Sequence, residues 1–183
     1  VTYGTTGSDS HTAAVTVADA DQNGAVGFSC TYSDLAGNAI ASAITSATSG
    51  SVTIDNTHPT LTAVGIAVDN TGNANNGDVI TLTITASEAI GTPTCTFTSG
   101  GAAMADSSIA YANPSGNTWT CKADVADGDT DGGVGFSVAF TDSAGNAGTA
   151  VTAVSDGSSV TVDNTHPTLT SVGIAVDNTG NAN

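Results

Sequence analysis

Apolar side chains recur at every second position over short runs of this chain, and polar stretches rich in Gly, Asn, Asp and Ser separate the runs. A period of two places alternate side chains on opposite faces of a strand, whereas a helix needs a period near 3.6, which is absent throughout. The clearest run covers residues 79–86, with Ile80, Leu82 and Ile84 on one face and Thr81, Thr83 and Thr85 on the other. Further strands are predicted over 61–68, 94–98, 118–125, 134–140 and 159–162, with a short irregular strand within 100–111 that buries Met104 or Ile109. Over 118–125, Trp119, Cys121, Ala123 and Val125 take the inward phase, and Lys122 and Asp124 point to solvent. Residues 12–17, 26–32 and 52–54 read as three more strands. About seven short strands with turn signals every 8–12 residues predict antiparallel β-sandwiches of immunoglobulin-like topology, an all-β fold.

The same pattern returns after 108 residues. Asp55-Asn56-Thr57-His58-Pro59 recurs as Asp163-Asn164-Thr165-His166-Pro167, and residues 55–75 match 163–183 except at Ala63 and Ser171. Tyr3 falls on Tyr111, Val17 on Val125 and Phe28 on Phe136. A fixed period of this size marks a tandem array whose unit can hold its own core. The predicted division is 1–56, the C-terminal part of one unit; 57–164, a complete unit; and 165–183, the first strand of a third. The chain then reads as a piece of a longer array. The links are expected to be taut, because Pro fixes its own φ and holds the preceding His58 or His166 extended. Residues 1–56 lack the first strands of a unit, so that part closes only with chain supplied from elsewhere, either a preceding segment or a neighbouring molecule.

Three sequence features resemble the bacterial Ig-like tandem repeats of giant surface adhesins. They are Ser87-Glu88-Ala89 closing the second strand, Asp142-Ser143-Ala144-Gly145-Asn146-Ala147 after the sixth, and Val162-Asp163-Asn164-Thr165-His166-Pro167-Thr168 as hinge. The resemblance covers the whole chain; His before the hinge Pro is its main departure. It implies an exported, non-catalytic stalk or filament module at the cell surface or outside the cell, often stiffened by calcium. The partners implied are neighbouring repeats and other copies in a filament.

Composition narrows the function further. Seventeen acidic residues stand against one basic residue, for a net charge of −16. Such a chain lacks the Lys and Arg that neutralise nucleic-acid phosphates, and lacks equally the basic patches that hold anionic membranes. It is suited instead to divalent cations. No Ser-His-Asp order, phosphate loop or C-x-x-C motif is present, Asn113-Pro114-Ser115 is no glycosylation acceptor, and no residue is assigned a catalytic role.

Two constellations are candidate calcium ligands. Asp127, Asp129 and Asp131, with Asp19, Asp21 and Asn23 in the other copy, follow D-x-D-x-[DN]-G, where alternate carboxylates on a Gly turn can converge on one cation. The competing reading is a solvated acidic turn. The second constellation follows from topology: in a sandwich, Glu88, Asp142 and Asn146 lie at the pole entered by Asp55 and Asn56, while Asp69 lies at the opposite pole. Here the competing reading is that Asp142 and Asn146 only shape a turn. Cys95 and Cys121 both fall on inward phases, so either a disulfide crosses the core or all three cysteines, Cys30 included, are buried thiols. The outward Thr81, Thr83 and Thr85 suggest an alternative function as a module that binds carbohydrate, ice or a host surface.

Overall fold

The computed structural model describes residues 1–7, 10–105 and 108–175. Twelve strands and no helix occur among them: β1 (Thr2–Gly7), β2 (Ser10–Ala14), β3 (Gly24–Ala25), β4 (Thr53–Ile54), β5 (Leu61–Val68), β6 (Val79–Ala86), β7 (Thr94–Ser99), β8 (Ala102–Ala103), β9 (Ala110–Ser115), β10 (Thr118–Asp124), β11 (Gly132–Ala139) and β12 (Thr161–Val162). β5 to β12 form two four-stranded antiparallel sheets in the orders β5-β6-β10-β9 and β12-β11-β7-β8. Their inner faces share one core, in which Ile80, Leu82, Ile84, Cys121 and Val138 are fully enclosed. The strict alternation of β6 is what makes this possible, since every second side chain meets the opposite sheet. Cys95 on β7 and Cys121 on β10 are joined by a disulfide that ties one sheet to the other, with Cα atoms 6.4 Å apart. Met104 is buried and Ile109 half-buried, so both residues of the irregular stretch serve the core.

The outer sides of β5 and β12 are occupied rather than left open. Val64 N and Ile66 N on the free side of β5 donate to Ser155 Oγ (2.9 Å) and Ser158 Oγ (2.8 Å), and Ser155 N returns a bond to Val64 O. Ala74, from the turn after β5, is fully buried and makes a parallel bridge to Val162, which covers the outer side of β12. β9 carries Pro114, a residue that sheets tolerate only at edges. An edge so occupied offers no ladder for indiscriminate pairing.

The flanking parts behave differently. Residues 1–56 give two small antiparallel pairs, β1-β2 and β3-β4, and no described side chain among residues 1–52 is buried. Phe28 is 46% exposed whereas its counterpart Phe136 is 9% exposed. Predicted strand 26–32 reduces to one isolated bridge, Cys30 with Ile44, flanked by β3 on one side and by the bridge of Ser33 with Ala39 on the other. The physical reason is the missing neighbour: β11 is held by six paired residues of β7, and residues 26–32 have no such strand beside them. Residues 169–175 repeat the sequence of β5 except at Ser171 yet form no strand, because β5 draws its bonds from β6. Residues 176–183 of the predicted third unit lie outside the described residues. β1 and β9, neither of them predicted over those spans, occupy equivalent positions in the two repeats.

Candidate metal centre at the joint between repeats

The joint is built from both sides onto one short hinge. On the preceding side, Asn56 Nδ2 donates to Ala18 O (3.0 Å) and Asp21 O (2.9 Å), while Asn56 N donates to Asn23 Oδ1 (2.7 Å). The second copy repeats this arrangement: Asn164 Nδ2 donates to Ala126 O and Asp129 O, and Asn164 N to Asp131 Oδ1. The D-x-D-x-[DN]-G loop is therefore the socket in which the hinge Asn is fastened. Asp129, 6% exposed, accepts from Ala105 N (2.7 Å) and Ala126 N (2.9 Å), and Asp21 likewise accepts from Ala18 N. Asp131 accepts from Thr165 Oγ1 and Asn164 N, at 2.6 Å each. The Thr165 hydroxyl, and then the Asn164 amide, hold the Asp131 pKa below the ordinary Asp value against the opposing pull of desolvation.

Among the described residues Asp127, Asp129 and Asp131 do not bring three ligand atoms within 4.8 Å of one another, and for Asp19, Asp21 and Asn23 convergence on one cation stays an expectation. Asp129 and Asp131 are turned to separate N–H and O–H donors, and Asp127 lines the crevice at the outgoing hinge with Asp163 and His166. Asp69 is likewise engaged elsewhere, accepting from Val79 N across its turn; Asn76 N, not Asp69, reaches the outgoing hinge at Asn164 Oδ1 (2.9 Å).

On the following side, the hinge meets the loops after β6 and β11. Asn146 Nδ2 donates to Asp55 O (2.9 Å). His58 Nδ1 lies 2.8 Å from Ala147 O, and since a carbonyl only accepts, Nδ1 carries the proton. Pro59 is fully buried beneath them. Gly148 is required here: a Cβ on it would stand 2.1 Å from Phe140 Cε2 and 2.7 Å from Pro59 O. Asp55, Glu88 and Asp142 come together at this pole, with ligand atoms all within 4.8 Å of one another, the one such trio of acidic residues among the described residues.

Asp142 is the most constrained of the three. Its Oδ1 accepts from the amides of Ala144, Gly145 and Asn146 at 2.7–2.9 Å, and its Oδ2 from Asn146 Nδ2 at 2.8 Å. Asp34 forms the same turn with Ala36 and Asn38 in the other copy, so the turn itself is a local motif, and Asn146 in addition grips the hinge at Asp55 O. Burial pushes the Asp142 pKa up, but the Asn146 side chain and the three amides together outweigh it and leave the pKa below the ordinary Asp value. A depressed carboxyl stabilises the fold above its unfolded pKa, near 4, and that contribution disappears as pH falls through the lower folded value. Melting temperature followed from pH 7 to 2 should therefore drop below about pH 4. Asp142→Asn should flatten part of that drop; an unchanged profile in the variant would show that Asp142 does not contribute to it.

The outward row of β6 is present as read. Thr83 faces Thr120, and Thr85 faces Thr118 with their hydroxyls 3.3 Å apart. Comparison with protein families, characterised proteins and solved structures finds no match to this chain.

Proposed function

We propose that this chain is a non-catalytic structural segment of a long extracellular stalk or filament, built of Ig-like units whose joints are stiffened by Ca²⁺. The observation that carries this reading is the hinge clamped on both sides, by Asn56 to the preceding loop and by Asn146 and His58 to the following one. A peptide held at both ends transmits orientation from one unit to the next, which is what a rigid stalk needs. The strand orders β5-β6-β10-β9 and β12-β11-β7-β8 match the two sheets of an immunoglobulin-like sandwich, with β8 as an added edge strand, and so support the unit type. The inter-sheet disulfide supports an oxidising, extracellular setting.

Calcium fits the incoming joint by its donor set. Three carboxylates meet where the chain's one basic residue, Lys122, is elsewhere on β10, and a hard cation taking six to eight oxygens would neutralise them. Asp55, Glu88 and the remaining lone pair of Asp142 Oδ2 would hold it, with carbonyls and water making up the shell. Bound only by the assembled joint, the ion would stabilise it by mass action. EDTA should then lower the melting temperature of the full chain and reduce its maximum dimension in X-ray scattering, with Glu88→Gln reproducing both effects. If calcium titration gives no heat and EDTA changes neither quantity, calcium leaves the reading and the hydrogen-bonded joint alone remains. The rival is a surface-binding module using the Thr81, Thr83, Thr85, Thr118 and Thr120 face. Retention of the chain on immobilised glycan or on ice would favour it.

A further inference from the structure

The negative charge of the complete unit is kept off its strands. Of the described charged residues only Lys122 and Asp124 stand in a strand, both on β10; the others lie in turns, loops and joints. The outer face of β5, β6 and β10 is built instead of small side chains in three cross-strand rows: Thr118–Thr85–Ala63, Thr120–Thr83–Gly65 and Lys122–Thr81–Ala67. Side chains this small let a second sheet approach to about 10 Å.

Two opposite charges flank this field. Lys122, the one basic residue of the chain, is exposed on the β10 side. On the β5 side stands Asp156, between the Ser155 and Ser158 hydroxyls that bond β5. Its Oδ1 accepts from Ser158 Oγ (2.6 Å) and Ser158 N (2.9 Å), and these bonds hold its pKa below the ordinary Asp value. Its Oδ2 lies over Gly65, where a Cβ would collide with it, and the carboxylate lines a notch with Ala67, Thr81 and Thr83. Lys122 and Asp156 are three strand spacings apart, about 14 Å.

We propose that this face pairs with the same face of a second copy, Lys122 of each meeting Asp156 of the other. A twofold axis along the strands, between β5 and β6, forms both ion pairs at once, and such an isologous contact closes as a dimer. The same axis lays Thr81 and Thr83 of one copy onto Gly65 and Ala67 of the other, large against small. Exposed ion pairs contribute little by themselves, so they set the register while the fit of the rows excludes water. The axis also leaves the two copies side by side and pointing the same way. The inference rests on the filament reading for its reach: in two arrays running alike, successive units pair in step and weak contacts add.

The test is sedimentation equilibrium of the full chain from about 50 µM to about 1 mM at about 0.15 M salt. Average mass should rise from the 17.6 kDa of one chain toward that of a pair. Lys122→Asp and Asp156→Lys should each weaken pairing at least about tenfold, and an equal mixture of the two should recover it, since their faces are then complementary. The variant carrying both changes should pair like the parent, at the same net charge of −16. Thr83→Asp, in the middle of the field, should abolish pairing; Thr96→Asp, exposed on the other sheet, should not. A chain that stays at monomer mass at about 1 mM would overturn the proposal. Equal losses in Thr83→Asp and Thr96→Asp would do so too, as would single variants that melt like the parent yet fail to pair when mixed. A monomeric chain retained on immobilised glycan through Thr83 would give the face to a sugar instead. EDTA should leave this pairing unchanged, so it and the calcium-stiffened joint can fail separately.

Discussion

Replacing Cys95 and Cys121 with Ala should cost the complete unit about 3.5 kcal/mol, the chain entropy released by opening a loop of 26 residues. For a unit of this size that corresponds to a fall in melting temperature on the order of 15–25 °C. The bridge matters because it joins the two sheets at fully buried positions, so its loss also leaves two small side chains in a core closely packed around Leu82 and Val138. Calorimetry of the parent and the double variant measures the difference directly. A shift under about 5 °C would mean that packing between the sheets, and not the bridge, sets the stability of the sandwich.

Gly148→Ile should damage the joint more than any surface change elsewhere. Its Cβ alone would enter the space of Phe140 Cε2 and Pro59 O, both of which are backbone-anchored or ring-packed and have little room to withdraw. Overpacking of this kind costs about 1–3 kcal/mol or more, and here it should also break the His58–Ala147 bond. The half-unit supplies its own control, since Ile40 stands at the matching position and makes the same backbone bond, Ile40 N to Tyr32 O at 3.1 Å. Ile40→Gly should leave the melting temperature within about 2 °C of the parent. If Gly148→Ile melts like the parent, the hinge is not seated against Phe140 in solution.

Much of the complete unit was legible because β6, β10 and β11 announce themselves by alternation, and alternation is a local property of the chain. Glu88 and Asp142 could be placed near Asp55 from the loop order of a sandwich. What was not legible depended on neighbours. Ala110–Ser115 reads poorly as a strand because Asn113 and Pro114 interrupt it, and only its position at the sheet edge makes the proline harmless. Residues 26–32 and 169–175 read as strands but lack the partner that would complete their hydrogen bonds. The D-x-D-x-[DN]-G loops carry a ligand-like spacing, yet their last side chains, Asn23 and Asp131, accept from the Asn56 and Asn164 amides, and spacing cannot tell the two uses apart. Gly148 gave no signal, since its meaning lies in the Pro59 carbonyl 89 residues away in sequence.

The disulfide also sets how such an array would yield under tension. A bridge between Cys95 and Cys121 withholds the chain between them, so a torn unit pays out roughly 90 Å less length than its residue count allows. Residues 1–56 have Ala13 where the complete unit has Cys121, so this bridge cannot form at that position. A string mixing both kinds would lengthen in unequal steps, the unbridged units giving long extensions and the bridged ones short, firm ones.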